Sequence, residues 1–166
     1  MIMDNFSRAF NLVISSEGEY SNDPHDPGGE TKFGISKSAY PDLDIAALTL
    51  VQAKEIYKKD YWDAVKGDQF NWTVAYPLFD CAVNQGRGRA IKFAQVAAGV
   101  KDDGLIGPAT VARLQAVNPV NWLNLFMATR AMKYAETANF DRYGKGWMNR
   151  LFTVHSHATE KDNGSA

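Results

Sequence analysis

Apolar residues recur every three or four positions along most of this chain, and Gly and Pro separate the runs. Phe6, Phe10 and Val13 fall on one face of a helix that Asp4 can cap and that runs to about Ser16. Residues 18 to 36 then break the pattern with two Pro, four Gly and several Asp, ending in Phe33-Gly-Ile35. That predicts a loop followed by a small hairpin. Thr49, with Gln52 three residues on, forms a capping box and opens a helix through about Trp62. Pro77 suits the first turn of the next helix, which carries Leu78 to Asn84. Arg89 to Ala98 reads as helix stopped by Gly99, Asp102-Asp103-Gly104 as a turn, and Gly107-Pro108 as the start of a helix over Ala109 to Val117. Asn118-Pro119 opens a long helix through about Ala138, with Trp122, Phe126, Arg130 and Tyr134 in register. A last helix covers about Gly146 to His157, before a polar tail. The expected fold is mainly α, with one irregular Gly-rich insertion after the first helix.

Composition refines this picture. The 166 residues suffice for one compact domain with a real core. A net charge of −1 argues against a nucleic-acid-binding surface. Residues 130 to 150 are locally basic, with Arg130, Lys133, Arg142, Lys145 and Arg150 against Glu136 and Asp141. Solvated helix faces and a wall-binding patch both fit that cluster. The single cysteine, Cys81, excludes an intramolecular disulfide and reads as a buried filler among Leu78, Phe79, Ala82 and Val83. The three histidines show no HExxH spacing, and no CxxC is present, so neither a metal nor a cofactor is expected. No signal-peptide pattern and no stretch of roughly 20 apolar residues appears, so synthesis in the cytoplasm without a membrane span is the expectation.

Glu17 lies eleven residues after Phe6. At about 100° per residue it returns to the face of Phe6, Phe10 and Val13. Burial and the negative end of the helix dipole would both disfavour its charge, raising its pKa as a general acid requires. Helical phase alone equally allows a carboxylate fraying into water. Asp26 follows nine residues later and Thr31 five beyond that. Glycoside hydrolysis needs such a second carboxylate, and a hydroxyl can hold the attacking water. Gly28, Gly29 and Gly34 permit backbone shapes and close sugar approach that side chains block.

Glu17-Gly-Glu-Tyr20, Ser21-Asn-Asp-Pro24, Asp26-Pro-Gly-Gly29, Thr31 and Gly34-Ile35 together resemble the start of glycoside hydrolase family 108, whose members are N-acetylmuramidases, many of them phage endolysins. The Glu–Asp–Thr spacing is also close to that of phage-type lysozymes, one residue shorter before Thr. Tyr61-Trp62 and Asp80-Cys-Ala-Val-Asn84-Gln-Gly86 are similar to further family elements. Gln95, Asp103-Gly-Leu-Ile-Gly107-Pro-Ala-Thr110 and Gly146-Trp-Met-Asn-Arg150 look like the peptidoglycan-binding region that accompanies the family's catalytic part. In chemical terms, Asp103-Gly and Gly107-Pro are also ordinary turn and helix-start signals. One position departs: the family's second Gly after the catalytic Glu is Glu19 here.

The resemblance implies a lysozyme-like helical fold, with a catalytic region over 1–88, a helical region over 89–158 packed into the same unit, and a tail over 159–166. It implies cleavage of the MurNAc–β-1,4–GlcNAc bond, with Glu17 as acid and Asp26 and Thr31 assisting water. Tyr20, Gly29 and Asn84 become candidate sugar contacts, although Asn84 could equally serve a helix C-terminus. It further implies a monomer acting on bacterial peptidoglycan in the periplasm, delivered by a holin or a secretion route. A lytic transglycosylase, or a wall-binding module without catalysis, would fit parts of the same pattern.

Overall fold

The computed structural model describes residues 3–15, 19–25 and 27–160. Within them lie seven α-helices and one two-stranded sheet: α1 Asn5–Ile14, β1 Thr31–Lys32, β2 Ile35–Ser36, α2 Leu50–Tyr57, α3 Trp72–Gln85, α4 Arg87–Ala98, α5 Pro108–Ala116, α6 Pro119–Ala135 and α7 Phe140–Thr159. None of these helices is long and apolar enough to cross a membrane.

Helix α3 is the axis of the molecule. Its residues from Val74 to Ala82 are all buried, and α1, α4, α6 and α7 pack around it. Helix α1 starts where Asp4 accepts a hydrogen bond from the Ser7 amide, and it buries Phe6, Ala9, Phe10 and Val13. Those rings meet α3 in an aromatic cluster: Phe79 lies edge-on to Phe6, Tyr57 and Trp62, with centroids 6.1, 6.3 and 5.5 Å away. A second cluster joins α4 to α6, where Trp122 stacks on Phe126 at 4.6 Å and donates its indole N–H to the Ala94 carbonyl at 3.2 Å.

Several element ends differ from expectation. Helix α3 begins at Trp72, capped by Asn71, so Pro77 stands inside it rather than in its first turn. An internal Pro forfeits one ladder hydrogen bond and costs about 3 kcal/mol. Burial of ten α3 side chains offsets that cost. Helix α7 begins six residues earlier than expected and runs through Gly144 and Gly146. A Cβ on Gly144 would fall 2.7 Å from the Phe140 ring, so that glycine lets the ring lie against the helix backbone. The helix opened by the Thr49 capping box changes to a π turn over Lys58–Trp62, which turns Trp62 fully inward. Its indole N–H then donates to Asp68 at 2.7 Å, and Gly67 is required because a Cβ there would lie 2.4 Å from the ring.

Candidate active-site cleft

The segment after α1 is shaped by its backbone. Ser21 and Thr31 exchange two backbone hydrogen bonds of 2.8 Å, which fastens the chain at Tyr20-Ser21 to the edge of β1. Strands β1 and β2 pair antiparallel through the two-residue loop Phe33-Gly34. Both loop residues have positive φ, +52° and +74°, the signature of a tight hairpin turn matched to strand twist. At Phe33 this conformation costs about 1 kcal/mol. The Phe33 carbonyl accepts a 2.8 Å hydrogen bond from Tyr57 OH, which pins the turn to α2. Gly29 adopts φ +67° with no close neighbour in the space of a Cβ, so its backbone conformation is what calls for glycine.

The proposed acid and its companion carboxylate, Glu17 and Asp26, lie outside the described residues. Thr31 is half-buried in β1, and its hydroxyl donates to the Gly29 carbonyl at a long 3.4 Å, leaving its lone pairs able to accept from water. Tyr20 is exposed and donates its phenol proton to Glu30 at 2.9 Å, an interaction that raises the phenol pKa.

Below the end of α1 a cleft of about 400 Å³ opens between α3 and α7. Leu12 and Ser15 line its α1 side, Tyr76, Asp80 and Asn84 line its α3 side, and Trp147, Asn149 and Arg150 line its α7 side. Ser15 stands two residues before Glu17 in sequence. The structure thus brings Asn84 to the wall opposite the end of α1. Tyr20, Gly29 and Thr31 are not among the residues lining this cleft.

Asn84 lies within the last turn of α3, and Gly86, at φ +94°, supplies the C-cap, so the capping alternative for Asn84 does not hold. Its side-chain oxygen accepts a hydrogen bond from Tyr134 OH, and Tyr134 in turn stacks on Trp147 at 4.9 Å. Asp80, almost fully buried, anchors the cleft floor. Its Oδ1 accepts from Arg150 Nε and Nη2 at 3.2 and 2.9 Å, and its Oδ2 forms an ion pair with buried Arg130 at 2.8 Å, with alignment short of a hydrogen bond. Arg130 Nε donates to Gln85 at 2.7 Å. Two members of the basic 130–150 cluster, Arg130 and Arg150, are therefore paired with Asp80. Cys81 is completely buried, and desolvation pushes its thiol up to about 12, which keeps it an inert filler.

The glycosyl hydrolase 108 model matches residues 10–86, from the middle of α1 to the C-cap of α3. The solved structure of Brucella abortus SagA superposes with a TM-score of 0.86 at 33% identity, covering 96% of this chain and 98% of that one. The chain belongs to glycosyl hydrolase family 108. No curated protein sequence matches it. Family membership makes it a glycoside hydrolase of the N-acetylmuramidase kind, acting on peptidoglycan, and the mainly helical fold with its small hairpin is lysozyme-like. The family 108 match supplies the α1 and α3 sides of the cleft but not the α7 side. Trp147, Asn149 and Arg150 lie beyond it, on a helix that the SagA likeness does cover. Sequence reading assigned those three to an accessory region and missed them as cleft residues. Their visible signal was a Gly-Trp pair inside a helix, where Gly is otherwise unfavourable.

The other accessory motif is consumed by its own loop. Buried Gln95 donates to Asp103, to the Leu105 carbonyl and to Thr110 at 2.9, 3.0 and 3.2 Å, and accepts from the Gly104 amide at 2.9 Å. Asp103 also accepts from the Leu105 amide at 2.9 Å. These contacts, the backbone bond first and Gln95 next, hold its carboxyl below the usual range.

Proposed function

We propose that this enzyme hydrolyses the MurNAc–β-1,4–GlcNAc bond, with Glu17 protonating the glycosidic oxygen. Asp26 activates water or steadies the oxocarbenium-like charge, and Thr31 orients that water. The observation that carries this reading is the cleft at the end of α1, which joins an aromatic surface, Trp147, to amide and guanidinium donors at Asn84, Asn149 and Arg150. Such a mixture suits a sugar ring, which has apolar faces and a hydroxylated edge. Tyr20, Gly29 and Asn84 contribute sugar contacts. Separation of the two carboxyl groups by roughly 6.5–9.5 Å would give inversion, and by about 5 Å retention.

The same reading makes the protein a monomeric endolysin of phage origin, made in the cytoplasm and delivered to the periplasm by a holin or secretion route. Residues 1–88 carry its chemistry, and 89–158 complete the cleft. Glu17→Gln is the direct test. It should abolish turbidity loss of purified cell walls while the circular dichroism spectrum and melting temperature stay at wild-type values. A variant that keeps more than a few per cent of activity would remove Glu17 from the role of acid.

A further inference from the structure

Beside the cleft lies a second, smaller recess of about 240 Å³, and Asn84 and Trp147 line both. Its remaining walls come from Gln85, Arg89, Lys133 and Tyr134, with Thr137 at the edge, so its lining holds two cations and no acid. The neutral walls are already committed. Tyr134 OH is given to Asn84, the Gln85 carbonyl oxygen accepts from Arg130, and Thr137 donates to the Lys133 carbonyl. The Arg89 side chain is exposed and makes no hydrogen bond or ion pair among the described residues. Lys133 reaches Glu136 only at 3.5 Å, in a solvent-exposed pair of little strength.

We propose that this recess binds a carboxylate of the stem peptide carried by the glycan strand. The proposal rests on the muramidase reading, since it takes the adjoining cleft to hold the sugars. The sugar backbone of peptidoglycan is neutral at its ring hydroxyls and amides, so cations flush with a sugar cleft meet no charge there. The anionic groups of the polymer are the carboxylates of its peptides, which branch from the muramyl lactyl group. The recess is smaller than the roughly 300 Å³ at which drug-sized ligand pockets begin, so it suits a single charged substituent better than another sugar pair. Arg89 supplies a planar fork matched to a carboxylate and Lys133 a point charge beside it.

The test compares native peptidoglycan with the same polymer after its peptide carboxylates have been converted to primary amides with a carbodiimide and ammonia, and measures both kcat/KM and co-sedimentation with each polymer. The wild type should favour the native polymer by about tenfold, the scale of one charge-assisted contact. Arg89→Ala/Lys133→Ala should bring that ratio close to one, and Arg89→Lys/Lys133→Arg should restore most of it. Added salt should weaken only the preference for native polymer. If the double Ala variant loses on both polymers by the same factor, or keeps the native preference, the proposal is overturned. If the wild type cleaves neither polymer, the muramidase reading fails, and the sedimentation ratio still decides whether the recess selects strands with free peptide carboxylates.

Discussion

Gln95 and Asp80 are both almost completely buried, both polar, and both drawn from motifs visible in the sequence, yet they are connected differently. The Gln95 side chain spends both its polar atoms on the 103–105 loop and the start of α5: its amide nitrogen reaches Asp103, Leu105 and Thr110, and its oxygen takes the Gly104 amide. Asp80 instead ties α3 to α6 and α7 through Arg130 and Arg150, and both Asp80 and Arg150 border the cleft. The comparison teaches how to sort motif residues by function. A motif whose donors and acceptors close on each other holds structure. One that spans three helices and still faces open space can shape a ligand site.

Breaking the Asp80 cluster should have the largest effect. Arg130→Ala leaves a buried carboxylate short of one partner and should cost about 3–5 kcal/mol in urea unfolding. It should also lower activity, because Arg150 and Asn84 are positioned by the same helices. Gln95→Ala should cost about 2–3 kcal/mol, since it orphans several buried groups. Its kcat/KM, corrected for folded fraction, should stay at the wild-type value. Loss of activity in the folded fraction would move the Gln95 loop into the binding machinery.

Gly146 sharpens the contrast further. Two residues earlier, Gly144 is packed under Phe140, but among the described residues nothing lies within 4 Å of where a Gly146 Cβ would be. Packing therefore does not call for glycine at Gly146, which borders the cleft. Gly146→Ala should stabilise α7 by about 0.5–1 kcal/mol, read as a higher melting temperature, while raising KM for cell walls several-fold. Gly144→Ala should instead destabilise by about 1–3 kcal/mol.

The smallest effect belongs to Asp103. Its folded-state pKa is depressed, so its contribution to stability is present above the unfolded-state value and is lost as pH falls through the folded value. Asp103→Asn should therefore flatten the acid side of a melting-temperature profile and leave the neutral difference between the two proteins constant.

Much of the fold was legible because local signals and burial agreed. The Asp4 and Thr49 caps, the Phe6-Phe10-Val13 face and the inward stripe Trp122-Phe126-Arg130-Tyr134 all stand where periodicity puts them. Local rules failed where tertiary packing overrode them, at Pro77 inside α3 and at the two glycines inside α7. The π turn at Lys58–Trp62, which buries Trp62, had no signal beyond the Tyr-Trp pair. Asn84, read from sequence as a sugar contact, lines the cleft, whereas Trp147 and Arg150 drew no such reading, because a wall built from α3 and α7 depends on contacts some 60 to 70 residues apart in sequence. Arg130 carried two conflicting signals, an apolar helical register and membership of a basic cluster, and its partner Asp80, on another helix, explains why the register won.

The central claim is the bond cleaved and the way it is cleaved. Purified peptidoglycan digested with the protein, followed by mass spectrometry of the fragment ends, tests it most directly. The account predicts reducing MurNAc ends that gain one water. Anhydro-muramyl ends would instead make the enzyme a lytic transglycosylase and contradict the hydrolytic roles given to Asp26 and Thr31.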